Sequence, residues 1–204
     1  MLHATETLTR AGIPYIGPGA AVMQLCYDKV AATQRVAAAG IACPASDGLS
    51  FPLIIKPRRG SDSIGVRVLR RGPIPARYRN EAYVAQELVR GTELTVAVLH
   101  GTVGAPLRIA LPEGTPYSFL RKYLLRPHRE PVRDDAVRET ALKIARLLAV
   151  DWAARVDFIR EAGSGRLCFL ECDVAPMIGA GSAFADSLLA AGMARAEQLR
   201  RLIR

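Results

Sequence analysis

Apolar positions change period several times along the chain, and each change marks an element. Residues 24–39 place Leu25, Val30 and Val36 among alanines at helical spacing, and Gly40 stands where a helix C-terminus is capped, so one continuous helix is expected there. Residues 135–149 repeat the helical pattern with Val137, Leu142, Ile144, Leu147 and Leu148, preceded by Asp134, a residue type that caps helix starts. From Ala183 the tail is again helical, through Leu188, Leu189, Met193, Leu199, Leu202 and Ile203.

Between these stretches the period falls to two. Strands are expected at residues 52–56, 65–69, 82–88, 94–99 and 106–111, which makes the middle of the chain mostly antiparallel sheet. A hairpin follows, with strands at 154–159 and 167–173 joined around Gly163, Ser164 and Gly165. Residues 14–19, rich in Pro and Gly, read as a loop after a short helical start. The fold class is α+β.

Composition narrows the function classes. At 204 residues the chain is one domain or two small lobes sharing a cleft, and 50% hydrophobic residues are enough to fill a core, which excludes disorder. Lys and Arg outnumber Asp and Glu 28 to 19, a net +9 that draws anions such as phosphorylated ligands. The basic residues Arg67, Arg70, Arg71, Arg77 and Arg79 have only Tyr78 and Tyr83 among them, which argues against nucleic acid as the partner. No apolar run approaches a membrane span and residues 1–12 lack a signal-peptide pattern, so a cytoplasmic protein with no membrane partner is expected. Cys26, Cys43, Cys168 and Cys172 show no metal-ligand spacing and read as reduced core residues; His3, His100 and His128 form no constellation.

Chemistry concentrates in two places. In the hairpin, alternation puts Arg155 and Asp157 on one face, and Glu171 and Asp173 on one face of the partner strand together with Leu167 and Phe169. Should the two faces coincide, three carboxylates converge and need a cation, and hard oxygen ligands suit Mg²⁺. The same spacing also suits two solvated strand faces. The second place is the Gly- and Ser-containing loop at residues 60–65 after Lys56, which could wrap backbone N–H groups around a phosphate or be a plain glycine hairpin. It lacks the G-x-x-x-x-G-K-[ST] pattern and leads into a strand.

An ordered set of motifs carries a resemblance. Gly12-Ile13-Pro14-Tyr15-Ile16-Gly17-Pro18, Asp28-Lys29, Ile54-Ile55-Lys56-Pro57, Ser63-Ile64-Gly65-Val66, Glu93-Leu94-Thr95-Val96-Ala97-Val98, Arg121-Lys122-Tyr123, Arg155-Val156-Asp157-Phe158 and Glu171-Cys172-Asp173-Val174-Ala175-Pro176 follow one another as in the ATP-grasp enzymes. The chain most resembles the D-alanine:D-alanine ligases. The resemblance implies two α+β lobes with nucleotide between them: a linker at 1–23, a small lobe at 24–79 and a large lobe with the metal-binding hairpin at 80–204.

It also implies roles. Lys29, Lys56 and Lys122 would touch the nucleotide phosphates, with Ser61 and Ser63 in the loop that closes over them. Residues 86–89 resemble the segment whose backbone reads adenine, which brings in Glu87 and Val89, and Glu93 would bind the ribose. Asp157, Glu171 and Asp173 would hold Mg²⁺, Arg155 would face the developing oxyanion, and Ser182 would grip the acceptor. ATP and Mg²⁺ are the implied cofactors, and the implied reaction joins a small carboxylate to an amine through an acyl phosphate.

Departures accompany the likeness: Asp173 replaces the family's usual Asn, Met177 stands where a Gly is expected, and the N-terminal substrate domain has no counterpart. These point to a ligase whose substrate domain is truncated or supplied by a partner subunit, or alternatively to an ATP-binding regulatory subunit with impaired turnover.

Overall fold

The computed structural model describes residues 2–60, 64–110 and 128–204. Helix α1 (Leu2–Arg10) leads through a loop to α2 (Ala20–Tyr27) and α3 (Lys29–Ala38). The single helix expected at 24–39 is therefore two. Asp28 between them has an extended backbone (φ −89°, ψ 99°), and its Oδ1 accepts hydrogen bonds from Val30 N at 3.1 Å and Ala31 N at 3.2 Å. A short acidic side chain that can satisfy the first amides of a new helix makes the break favourable, a signal hidden by the alanine-rich flanks.

Two antiparallel sheets follow. The smaller one is ordered β2-β1-β3 and is built from β1 (Leu53–Pro57), β2 (Arg67–Leu69) and β3 (Tyr83–Glu87). Its third strand pairs with β1 from Leu53↔Glu87 to Pro57↔Tyr83, so this sheet closes beyond the expected lobe division at residue 79.

The larger sheet contains β4 (Gly91–Leu99), β5 (Thr102–Val103), β6 (Leu107–Ala110), β7 (His128–Pro131), β8 (Ala153–Glu161) and β9 (Leu167–Asp173). Its order is β7-β6-β4-β8-β9, with β5 on β4. Helix α4 (Asp135–Leu147) crosses one face, and α5 (Ala183–Ala190) and α6 (Arg195–Leu202) close the chain as two helices where one helical tail is expected. The reversal between them holds Gly192 at φ +89°, a conformation only glycine adopts without strain.

Alternation sorts the large sheet's two faces. Leu94, Val96, Val98, Val156, Phe158, Phe169 and Cys172 point toward α2, α3 and α4, where they meet Met23, Cys26, Val36, Val137, Ala141 and Ile144. The stripe Val137, Ala141, Ile144, Ala145 and Leu148 on α4 is fully or almost fully buried, and each large aliphatic in it contributes about 1.5–3 kcal/mol relative to exposure. Asp134 caps this helix through Val137 N at 3.1 Å, worth about 1 kcal/mol.

On the opposite face, Ala97, Leu99 and Ala153 at one end are covered by Phe184 and Leu188 of α5 and Leu202 of α6. The other end of that face, bearing Glu93, Asp157 and Glu171, borders an open cavity.

The β8–β9 pairing carries one irregularity. Asp157 stands opposite Glu171, yet the next residue, Phe158, stands opposite Phe169, so Leu170 has no partner and forms a bulge. Strict alternation predicts Phe169 and Leu167 on the face of Glu171 and Asp173. The extra residue reverses the parity: Phe169 is fully buried in the helix-covered core with Leu167 against it, while Leu170 and Glu171 both line the cavity.

Candidate functional site

The two sheets enclose a cavity of about 910 Å³, large enough for a nucleotide-sized ligand. Leu53 and Ile55 of β1 point away and are buried, so Ile54 and Lys56 face the cavity, with Val66 and Val68 beside them. The large sheet contributes Glu93, Asp157 and Glu171 to the wall.

Cationic groups hold the small-sheet side. Asp28, buried at the kink, pairs with Arg58 Nε at 2.8 Å and Arg59 Nη2 at 3.5 Å, and Lys29 N donates to Arg58 O at 3.0 Å. This latch fixes the start of α3 against the end of β1, and the Lys29 ammonium donates to Gly60 O. Burial lowers the pKa of Lys29, while Glu171, Asp173 and Asp28 oppose the shift. Lys56 is lowered too, by burial and by the nearby Lys29, with Glu171 and Glu93 pulling the other way. Two partly dehydrated ammonium groups close to each other form a ready counter-charge for an anion.

Acidic groups hold the other side, in two rows set by strand register. Thr95, Asp157 and Glu171 lie side by side on β4, β8 and β9; Ala97, Arg155 and Asp173 form the next row. Arg155 reaches back along its own strand to Asp157, with Nε 2.9 Å from Oδ1 and Nη2 3.0 Å from Oδ2. The same guanidinium stands 3.4 Å from Asp173 Oδ2 and 3.8 Å from Glu171 Oε1. Burial alone would lower the pKa of Arg155, but Asp157, Asp173 and Glu171 outweigh it and raise it. Burial raises Asp173, held back by Arg155 and by the hydrogen bond from Ala175 N.

The β8–β9 register brings the faces of Asp157, Glu171 and Asp173 together, and the cation among the three carboxylates is Arg155. Among the described residues no three His, Cys, Asp or Glu side chains are disposed as a metal-holding group. The donor set is nonetheless right in kind for Mg²⁺: hard oxygens on neighbouring strands, with Asp157 oriented by the Thr95 hydroxyl at 2.6 Å and Asp173 by Ala175 N at 3.1 Å.

Between the sheets, Glu87 and Val89 line the cavity. The Glu87 carboxylate accepts from Arg166 Nη2 at 2.9 Å and from Ala45 N at 3.1 Å, which fastens this segment to the hairpin. Its backbone N–H donates to Ala45 O.

The structure therefore brings together Lys29, Lys56, Glu87, Val89, Glu93, Asp157 and Glu171 around one cavity, with Arg155 and Asp173 joined to them by ion pairs. Ser182 stands apart from the cavity wall, and its hydroxyl caps α5 by accepting from Ala185 N at 3.2 Å. Met177 is exposed. Ser61, Ser63 and Lys122 lie outside the described residues.

Sequence reasoning passed over Thr95, the Asp28–Arg58 latch and Arg166. Only Thr95 left a signal: it sits two residues from Glu93 on one strand, hence on the same face.

The family profile described as D-ala D-ala ligase C-terminus matches residues 24–204. The D-alanine–D-alanine ligase of Stutzerimonas stutzeri is 36% identical over 193 residues, covering 81% of this chain and 60% of the relative. That of Nitrosospira multiformis is 30% identical over 218 residues, 94% of this chain and 71% of the relative. The chain thus spans about 60% of the length of several such relatives. Among solved structures, the VanG D-Ala:D-Ser ligase from Enterococcus faecalis aligns with TM-score 0.80 at 23% identity, covering 98% of this chain and 67% of the other. The D-alanine–D-alanine ligase from Bacillus anthracis complexed with ATP aligns with TM-score 0.75 at 20% identity, over 98% and 72%. These likenesses show the fold: the α+β ATP-grasp architecture.

Proposed function

Because the chain belongs to the family of the D-alanine–D-alanine ligase C-terminal domain, we propose that it is the nucleotide-binding part of an ATP-dependent ligase joining a small carboxylate to an amine. One observation carries this reading: a single cavity has Lys29 and Lys56 on one wall and Asp157 and Glu171 on the other. A polyphosphate with a divalent cation satisfies both walls at once. Glu87 and Val89 would flank the base through the backbone and Glu93 the ribose. Small D-amino acids are the proposed substrates, following the relatives' names, and a cytoplasmic setting follows from such substrates. Among the described residues no helix is long and apolar enough to cross a membrane.

In the proposed reaction the substrate carboxylate takes the terminal phosphoryl group of ATP, releasing ADP and giving an acyl phosphate. The amine then attacks the acyl carbon and phosphate departs. Lys29 and Lys56 neutralise the phosphates before transfer, so little reorganisation is needed as charge moves. Mg²⁺, held by Asp157, Glu171 and Asp173, would supply charge cancellation between phosphates. Arg155, beside these residues, stabilises the oxyanion formed on amine attack; Ser61 and Ser63 are proposed to contact the phosphates from their loop, Lys122 to reach the phosphates with its charge, and Ser182 to position the amine. We further propose that the rest of the acid site comes from residues beyond this match, on the same chain or a partner subunit.

Calorimetry with Mg²⁺ and ATP, followed by phosphate release with paired D-amino acids, tests the reading. Heat of binding and phosphate release that requires both amino acids are expected. Absence of heat at millimolar ATP overturns the nucleotide site; binding without release under any pair, both from this chain alone and from complexes purified with it from its native source, overturns the ligase and leaves a nucleotide-binding subunit.

A further inference from the structure

One guanidinium serves three carboxylates. Arg155 occupies both oxygens of Asp157, through Nε at 2.9 Å and Nη2 at 3.0 Å, and reaches one oxygen each of Asp173 and Glu171 at 3.4 and 3.8 Å. The pairing register enforces this, because Arg155 lies opposite Asp173 while Asp157, two residues on, lies opposite Glu171. Its side chain is largely buried, at 14% exposure. The planar fork of Arg matches the Asp157 carboxylate in a way a lysine ammonium does not.

A divalent cation needs the same oxygens. It would have to displace hydrogen bonds to Asp157 and would meet the fixed positive charge of Arg155 among those oxygens, a repulsion that counts for more in a partly dehydrated site than in water.

We propose that Arg155 is an internal counter-ion that competes with a divalent cation for Asp157, Glu171 and Asp173, so that the cation is held weakly alone and is taken up together with a polyphosphate. The extra carboxylate at Asp173 strengthens this competition by giving the guanidinium a further partner on the strand directly opposite. The second half of the proposal rests on the nucleotide reading of the cavity; the competition itself does not.

Mn²⁺ binding, followed by the electron paramagnetic resonance signal of the free ion, provides the test for wild type, Arg155→Gln and Arg155→Lys. Wild type should bind Mn²⁺ alone weakly and at least tenfold more tightly with ATP present. Arg155→Gln should bind Mn²⁺ alone at least tenfold more tightly than wild type, and its thermal midpoint, lowered by the uncompensated carboxylates, should rise with Mn²⁺ by several degrees more than that of wild type. Arg155→Lys, which keeps the charge and loses the fork, should fall between them, and it carries the comparison should Arg155→Gln fail to fold. Equal Mn²⁺ affinity in wild type and the folded variant overturns the competition, whatever ATP does. A gain in Mn²⁺ affinity without any ATP binding upholds the competition and overturns the nucleotide reading and the joint uptake.

Discussion

Thr95 donates its hydroxyl hydrogen bond to Asp157 Oδ1 at 2.6 Å across directly opposed positions of β4 and β8. The threonine is 1% exposed, so water cannot replace it. Thr95→Val keeps the shape and removes the donor, and should cost about 1–3 kcal/mol in urea denaturation. Mn²⁺·ATP affinity should fall in the same variant, and Thr95→Ser should recover both. Unchanged stability and affinity would mean that the Thr95 hydroxyl does not orient Asp157.

Lysine protonation sets an alkaline limit. Lys29 and Lys56 both titrate below the ordinary 10.5, chiefly through burial. Polyphosphate favours their charged forms, so binding at alkaline pH should take up protons. Affinity should decline as pH rises through the depressed lysine values, before 10.5 is reached. For the protein alone the sign is opposite: between the depressed values and 10.5 the unfolded chain binds more protons, and these lysines make stability rise with pH. Calorimetry in two buffers of different ionisation heat measures the proton uptake. Lys56→Ala should lower ATP affinity at least tenfold and remove part of the uptake.

The kink at Asp28 has its own acid signature. Burial pushes this carboxyl up, but hydrogen bonds from Arg58 and the amides of Ala31 and Val30 more than offset it, leaving it below the ordinary 3.8. Its stabilisation is present above that value and is lost as pH falls through the lower folded one. Asp28→Ala should cost about 1–2 kcal/mol from the helix cap and flatten the acid limb of the stability profile. Asp28→Asn should keep the cap and still flatten the limb. Thermal melts from neutral to acid pH read both effects.

Gly91 is fixed by crowding. A Cβ there would lie 1.9 Å from Arg160 O and 2.9 Å from Glu161 Cα, both backbone atoms that belong to a paired strand. Gly91→Ala should therefore cost about 3 kcal/mol or more, beyond ordinary overpacking. Gly163→Ala, with nothing within 4 Å but φ at +89°, should cost only about 1 kcal/mol. Equal midpoints for the two in urea would contradict the close approach.

Much of this arrangement is written locally. Val137, Ile144 and Leu148 announce α4, alternation announces β4 and β8, and Lys56 follows from a strand that must turn at Pro57. What escapes local reading depends on partners distant in sequence. The break at Asp28 is decided jointly by its cap and by Arg58, thirty residues on. That Arg155 stands among the three carboxylates depends on register between β8 and β9, which alternation within one strand cannot fix. Arg166 meets Glu87 across 79 positions, and no spacing rule encodes such a pair.

The unpaired Leu170 has a consequence for how this segment tolerates change. Its side chain borders open space, so many residue types would be accommodated there. Deleting it would make Phe158↔Phe169 follow Asp157↔Glu171 as a regular ladder, so the ring would stay in the hydrophobic interior and the acids on the cavity side, while an insertion beside it would widen the defect. What Leu170 supplies is the bend and added twist of an extra backbone unit beside the acids, so its loss would straighten the strand rather than turn a face over.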